Sequence, residues 1–129
     1  MKNIKTIAKL ITLLLTILIN TENSHANSIP ELQESLKSQD TKVICEAAIS
    51  LGDLKDPGSI GLLAELTDNE DPIIRKCGVQ ALGLFRDNGF CQDFYTIWLS
   101  DKDKSVRQSA GVAVILGDCN RYIEREAKY

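Results

Sequence analysis

Apolar and polar positions along the chain fall into the 3.6-residue period of an amphipathic helix in three segments, residues 40–52, 71–83 and 103–115. Each segment opens on an aspartate, Asp40, Asp71 or Asp103, placed to cap the helix that follows it. The copies recur at a spacing of roughly thirty residues, within the range of helical-repeat periods. Small residues recur inside them: Ala47 and Ala48, then Gly78 and Ala81, then Ala110, Gly111 and Ala113. Larger side chains there would hold neighbouring helices apart. A glycine inside a helix costs about 1 kcal/mol relative to alanine, so Gly78 and Gly111 need a compensating close helix contact.

A second, shorter apolar pattern lies between the copies. Pro57 marks a turn, after which Ile60, Leu63 and Leu66 recur at helical spacing; the Asp87-Asn88-Gly89 turn leads into a further helix over residues 91–99. Ahead of the first copy, Pro30 and Glu31 mark a helix start, and Ile29, Leu32 and Leu36 supply one apolar stripe. A lone short helix cannot bury its stripe, so it is expected to cover the first edge of the array. Residues 121–129 are short and charged, as a polar end cap would be. The pattern predicts an all-α chain of stacked helical hairpins: a cap helix over 28–39, then repeats over 40–70, 71–102 and 103–129.

The first 26 residues read differently. Lys2, Lys5 and Lys9 form a basic start, residues 10–19 an apolar run interrupted only by Thr12 and Thr16, and Ser24-His25-Ala26 a small-residue cleavage site. A ten-residue helix rises about 15 Å, roughly half of a bilayer core, which favours a signal peptide cut after Ala26 over a retained anchor. The expectation is an exported domain over 27–129, periplasmic or secreted, with no membrane insertion once the signal is removed.

Loss of that segment removes three lysines and one glutamate, which leaves the remainder more acidic than the net charge of −3 carried by the whole chain. Nucleic acid is not an expected partner, because affinity for phosphate backbones comes from neutralising Lys and Arg. Lys102, Lys104 and Arg107 come nearest to a basic patch, but Asp101 and Asp103 interrupt them. The chain's one histidine, His25, lies in the segment expected to be removed. Ser-His and Cys-His pairs and imidazole metal ligands go with it, so no catalytic residue, metal or cofactor is expected.

Cys45, Cys77, Cys91 and Cys119 contain no CxxC pair and match no zinc-ligand spacing. In an exported chain, two disulfides are the favoured reading, and small buried apolar side chains the alternative.

Residues 56–68, followed by Asp71-Pro72-Ile73-Ile74-Arg75 and Ala81-Leu82-Gly83, resemble the short HEAT repeats first associated with phycobilisome lyases. The resemblance runs from Asp40 to about Asp118. It implies a short right-handed α-solenoid of about three HEAT-like hairpins with an N-terminal capping helix. It also implies that loop aspartates and helix arginines link successive repeats, here Asp71 and Asp103 with Arg75 and Arg107. The first copy departs from this pattern with Ile44 in the arginine's place, and the third with Ile115 where Ala-Leu-Gly would end.

Four cysteines admit three pairings, among which the sequence does not choose. Cys45 with Cys77 and Cys91 with Cys119 is the proposal under which each bridge staples neighbouring hairpins. In the resembled family the second helices line the concave side, which makes Phe94, Tyr95 and Trp98 the candidate partner-binding residues. The i, i+3, i+4 spacing of Phe94, Ile97 and Trp98 nevertheless favours burial of Phe94 and Trp98, while Tyr95 stays open between core and surface. The function expected is a non-enzymatic protein-binding module or scaffold in the cell envelope. The alternative is a cofactor-handling or thiol-active protein akin to the lyases, for which Lys76 beside Cys77 is the one supporting feature.

Overall fold

The computed structural model describes residues 3–21 and 27–128, all of whose regular elements are helical. The helices are α1 (Ile4–Thr21), α2 (Ile29–Ser35), α3 (Thr41–Asp53), α4 (Ile60–Leu66), α5 (Pro72–Leu84), α6 (Cys91–Ser100), α7 (Lys104–Leu116) and α8 (Asn120–Glu126). Ser24-His25-Ala26, the expected cleavage site, lies outside the described residues. The described side chains of α1 are all exposed, and no helix among the described residues is long and apolar enough to cross a membrane.

The three repeat aspartates start the three long helices. One carboxylate oxygen of Asp40 accepts from the Lys42 N–H at 2.9 Å, and one of Asp71 from Ile73 N–H at 2.8 Å. Asp103 accepts from both Ser105 N–H (2.8 Å) and Val106 N–H (3.2 Å). Each satisfies donors that a helix start leaves without partners. The long helices also end alike. Lys55, Arg86 and Asp118, at corresponding places after α3, α5 and α7, have φ of 50°, 53° and 53°. The left-handed residue turns the chain back, so that Asp56 N–H reaches the Leu51 carbonyl at 3.3 Å and Cys119 N–H that of Val114 at 3.1 Å.

Helices α3, α5 and α7 pack side by side as one row, and the short helices cover one side of it, α2 on α3, α4 on α5 and α6 on α7. The physical pairs are therefore offset from the hairpins drawn from the sequence, since each short helix packs chiefly on the long helix that follows it. On this grouping α2 is half of the first pair as well as a lid. Leu32 and Leu36 turn inward as expected; Ile29 does not, and is exposed. Leu51, Leu63, Val79, Phe94 and Val106 form the fully buried centre. Tyr122 of α8 packs against the same core, so the C-terminal cap is not wholly polar.

Small residues set the spacing of the row. A Cβ on Gly52 of α3 would lie 2.6 Å from the Ala81 carbonyl oxygen of α5, and one on Gly83 of α5 would lie 3.1 Å from Ala113 Cβ of α7. The two contacts are the same contact one repeat apart. The next residue in that register is Ile115, a larger side chain than either glycine and 72% exposed. Gly78 serves the other layer: its Cβ would fall 2.8 Å from Leu66 Cβ and 3.1 Å from the Leu63 carbonyl on α4.

The cysteines form two disulfide pairs. Cys45–Cys77 ties α3 to α5 with Cα atoms 5.3 Å apart, and Cys91–Cys119 ties the start of α6 to the turn after α7 with Cα atoms 5.4 Å apart. Helix axes in contact are typically about 8–10 Å apart, so such bridges require side chains that face each other across the contact.

Candidate partner-binding surface

The side of the α3, α5 and α7 row left uncovered by the short helices carries a groove of about 500 Å³. Its residues come from one face of each long helix at four-residue spacing: Ile49 and Asp53 on α3, Gln80 and Leu84 on α5, Val112 and Leu116 on α7. Gly83 and Ala113 keep the floor low where α5 meets α7. Ile49, Leu84, Val112 and Leu116 give the groove its apolar surface, and Gln80 and Gln108, whose carboxamides can each donate and accept, line it with them. The volume lies in the usual range for binding clefts, roughly 300–1,000 Å³. These residues were not singled out from sequence. Their signal was the repeated i, i+4 pairs on the long helices, which read there only as helix periodicity.

The aromatic residues of α6 separate. Phe94 is 1% exposed and belongs to the core, so it cannot present a binding surface. Trp98, expected from its spacing to be buried, is 42% exposed. Its indole lies over Gly111 of α7, with Nε1 3.3 Å from where a Cβ would stand. Burial of both residues would require α6 to be covered along a wider stripe, but α6 packs chiefly on α7 alone. Tyr95 is half-buried, its ring centroid 5.7 Å from that of Trp98. Tyr95 and Trp98, with the exposed Leu99, form an aromatic edge at the last repeat.

The aspartate and arginine ladder takes a different form from the one the resemblance implied. Arg75 does not pair with Asp71 or Asp103: its Nε and Nη2 donate to the two carboxylate oxygens of Asp101, both at 3.0 Å. Nη1 donates to the Asn69 and Glu70 carbonyls at 2.9 and 3.0 Å. Arg107 binds the Asp101 and Lys102 carbonyls through Nη1, at 2.7 and 3.1 Å. Each arginine thus ties its helix to the loop just before it, and Arg75 alone reaches across to the next repeat's loop. Asp71 bridges repeats through its second oxygen, which accepts from Thr41 Oγ1 at 3.3 Å.

The Arg75 and Asp101 side chains are both nearly buried. The hydrogen bonds from Arg75 hold the Asp101 carboxyl below its usual range, and the same bonds raise the Arg75 guanidinium. Asp103 is also lowered, first by the Ser105 hydroxyl and then by the backbone N–H of Val106. Every guanidinium nitrogen of Arg75 has a protein acceptor, so this pair is a joint between repeats and leaves no nitrogen unpartnered for an anionic ligand.

Residues 29–115, from the first residue of α2 to the last turn of α7, match the family model for HEAT repeats. No curated protein matches the chain.

Proposed function

Since the chain belongs to the HEAT-repeat family, we propose that it is an exported, non-enzymatic module that binds another protein along the α3, α5 and α7 groove. The observation that carries this reading is the groove itself, to which all three long helices contribute and which none of the short helices covers. Its chemistry selects the occupant. Ile49, Leu84, Val112 and Leu116 suit the apolar side chains of a peptide segment, and Gln80 and Gln108 suit the main-chain amides between them. The Tyr95 and Trp98 edge would supply a second, separate contact at the last repeat, aromatic side chains being favoured at binding hot spots.

Export is proposed on the basic and apolar N-terminal pattern, with which the exposed side chains of α1 agree. Two disulfides in so small a domain agree with an oxidising compartment. N-terminal sequencing of the native protein is expected to begin at Asn27; a start at Met1 would overturn cleavage after Ala26, and recovery of that uncleaved chain only from the cytoplasm would overturn the export reading.

The binding reading is tested with a photo-crosslinking residue placed at Val112 in the groove, or at Glu65 on the outer face of α4. A single protein partner crosslinked from Val112, absent from Glu65 and lost on Leu84→Asp, is the expected result. Crosslinks of equal yield from both positions would sink the groove.

A further inference from the structure

We infer that Cys45 is a site of thiol–disulfide exchange, at which a small thiol or a dithiol reductant opens the Cys45–Cys77 bond in the folded protein while Cys91–Cys119 stays closed. This goes beyond the partner reading and does not depend on it.

The two bridges differ in access. Cys91 and Cys119 are wholly enclosed, Cys91 at the base of α6 among the core residues and Cys119 behind the turn that follows α7. Neither sulfur of that bond can be reached without moving a helix. In the other bridge Cys77 is buried on α5, but Cys45 on α3 is partly exposed. An attacking thiolate must approach in line with the S–S bond from the side opposite the leaving sulfur, and exchange rates follow access to the attacked sulfur. Of the four cysteines, Cys45 is the one that is not buried, so the approach to its sulfur is the most accessible of the four.

The step balances with a thiol as the reductant. Its thiolate attacks Cys45 Sγ, the Cys45–Cys77 bond breaks, and Cys77 leaves as the thiolate, giving a mixed disulfide on Cys45. A second thiol, on the same molecule for a dithiol, attacks the mixed disulfide and frees Cys45. The reductant is oxidised by two electrons and both cysteines end as thiols.

Opening need not unfold the chain, because α3 and α5 remain in contact through Gly52 and Ala81 and through the buried side chains of both helices. It does remove the clamp beside the groove. Ile49 lies one turn along α3 from Cys45, while Lys76 adjoins Cys77 and also lines the groove. The bond therefore controls how firmly the α3 wall of the groove is held against the α5 wall.

The experiment treats the native protein, both bridges formed, with reduced glutathione, traps free thiols by acid quench and alkylation, and follows each cysteine by peptide mass spectrometry. Cys45–Cys77 is expected to open at least tenfold faster than Cys91–Cys119, with the glutathione adduct on Cys45 and the alkyl group on Cys77. Equal rates for the two bridges, earlier opening of Cys91–Cys119, or an adduct on Cys77 would overturn the inference. So would an opening rate equal to the global unfolding rate measured in the same buffer, because the exchange would then not occur in the folded state.

Discussion

Arg75 on α5 grips both carboxylate oxygens of Asp101, a residue 26 positions further along, at 3.0 Å each. The two are nearly excluded from water, so the pair is costly to break from one side only. Asp101→Ala strands a buried guanidinium and is expected to lower stability by about 3–5 kcal/mol. Arg75→Met combined with Asp101→Leu leaves no orphan charge but also removes the bonds to the Asn69 and Glu70 carbonyls and to Asp103 N–H, so it should still lower stability, though by less than Asp101→Ala. Urea denaturation of the three chains at neutral pH measures both; equal losses for the single and double variants would show that the pair is not the joint.

The same pair sets an acid dependence. Asp101 has a folded pKa below its ordinary value of 3.8, chiefly because of the Arg75 hydrogen bonds. A depressed carboxyl stabilises the fold above the unfolded-state pKa, and that contribution is lost as pH falls through the folded pKa. The stability gap between the native chain and Asp101→Asn is therefore expected to hold from neutral pH down to about 4 and to narrow below it. Thermal melts between pH 7 and pH 2.5 test this. A gap that widened toward acid would contradict the sign.

Legibility in the sequence followed locality. Asp40, Asp71 and Asp103 announced the long helices because a cap acts within three residues, and those helices begin where the caps place them. The partner of Arg75 is illegible because it depends on where the loop after α6 lands; in the sequence Asp101 reads only as an interruption in a basic run. Trp98 was misjudged for a related reason. Helical spacing tells which residues share a face, but not how much of that face a neighbour covers, and α6 is covered chiefly by one helix. The groove was missed because it is a property of three helices side by side, whereas each helix alone shows only an ordinary amphipathic period.

Glycine positions separate packing from propensity. Gly61 on α4 has nothing within 4 Å of an added Cβ, so Gly61→Ala should gain up to about 1 kcal/mol from helix propensity. At Gly52 the added carbon would meet the Ala81 carbonyl at 2.6 Å, a backbone atom that cannot swing aside. Gly52→Ala should cost about 1–3 kcal/mol, as overpacking generally does. Gly83→Ala, facing Ala113 Cβ at 3.1 Å, should fall between them. Denaturation midpoints in that order support the close-packed row; the reverse order for Gly52 and Gly61 would not.

Arg86 holds a left-handed backbone, φ 53°, just past Phe85, the residue that caps α5. A side chain in that region costs roughly 1–2 kcal/mol, part of which glycine returns through its larger unfolded-state entropy. Arg86→Gly is expected to stabilise the chain by about 0.5–1 kcal/mol. Asp118→Gly should gain less, because aspartate tolerates this conformation better. Thermal denaturation of both variants reads the difference, and a loss of stability in Arg86→Gly would mean that its side chain makes a contact worth more than the strain.

Phe94 and Trp98, one helical turn apart on α6, divide core from surface. Phe94 is enclosed, so Phe94→Ala should remove about 3–5 kcal/mol of stability, the range for deleting a buried aromatic ring. Trp98 leaves much of its ring in water and covers Gly111, so Trp98→Ala should cost clearly less. If the aromatic edge is a contact, Trp98→Ala should also weaken partner capture at least tenfold while the fold persists, with Tyr95→Ala following in the same direction. Double substitution Gly111→Ala with Trp98→Ala refills the exposed helix surface without restoring the ring, and so isolates binding from packing. Restored stability with capture still lost would assign Trp98 to the partner. Restored stability together with restored capture would return it to a purely structural role.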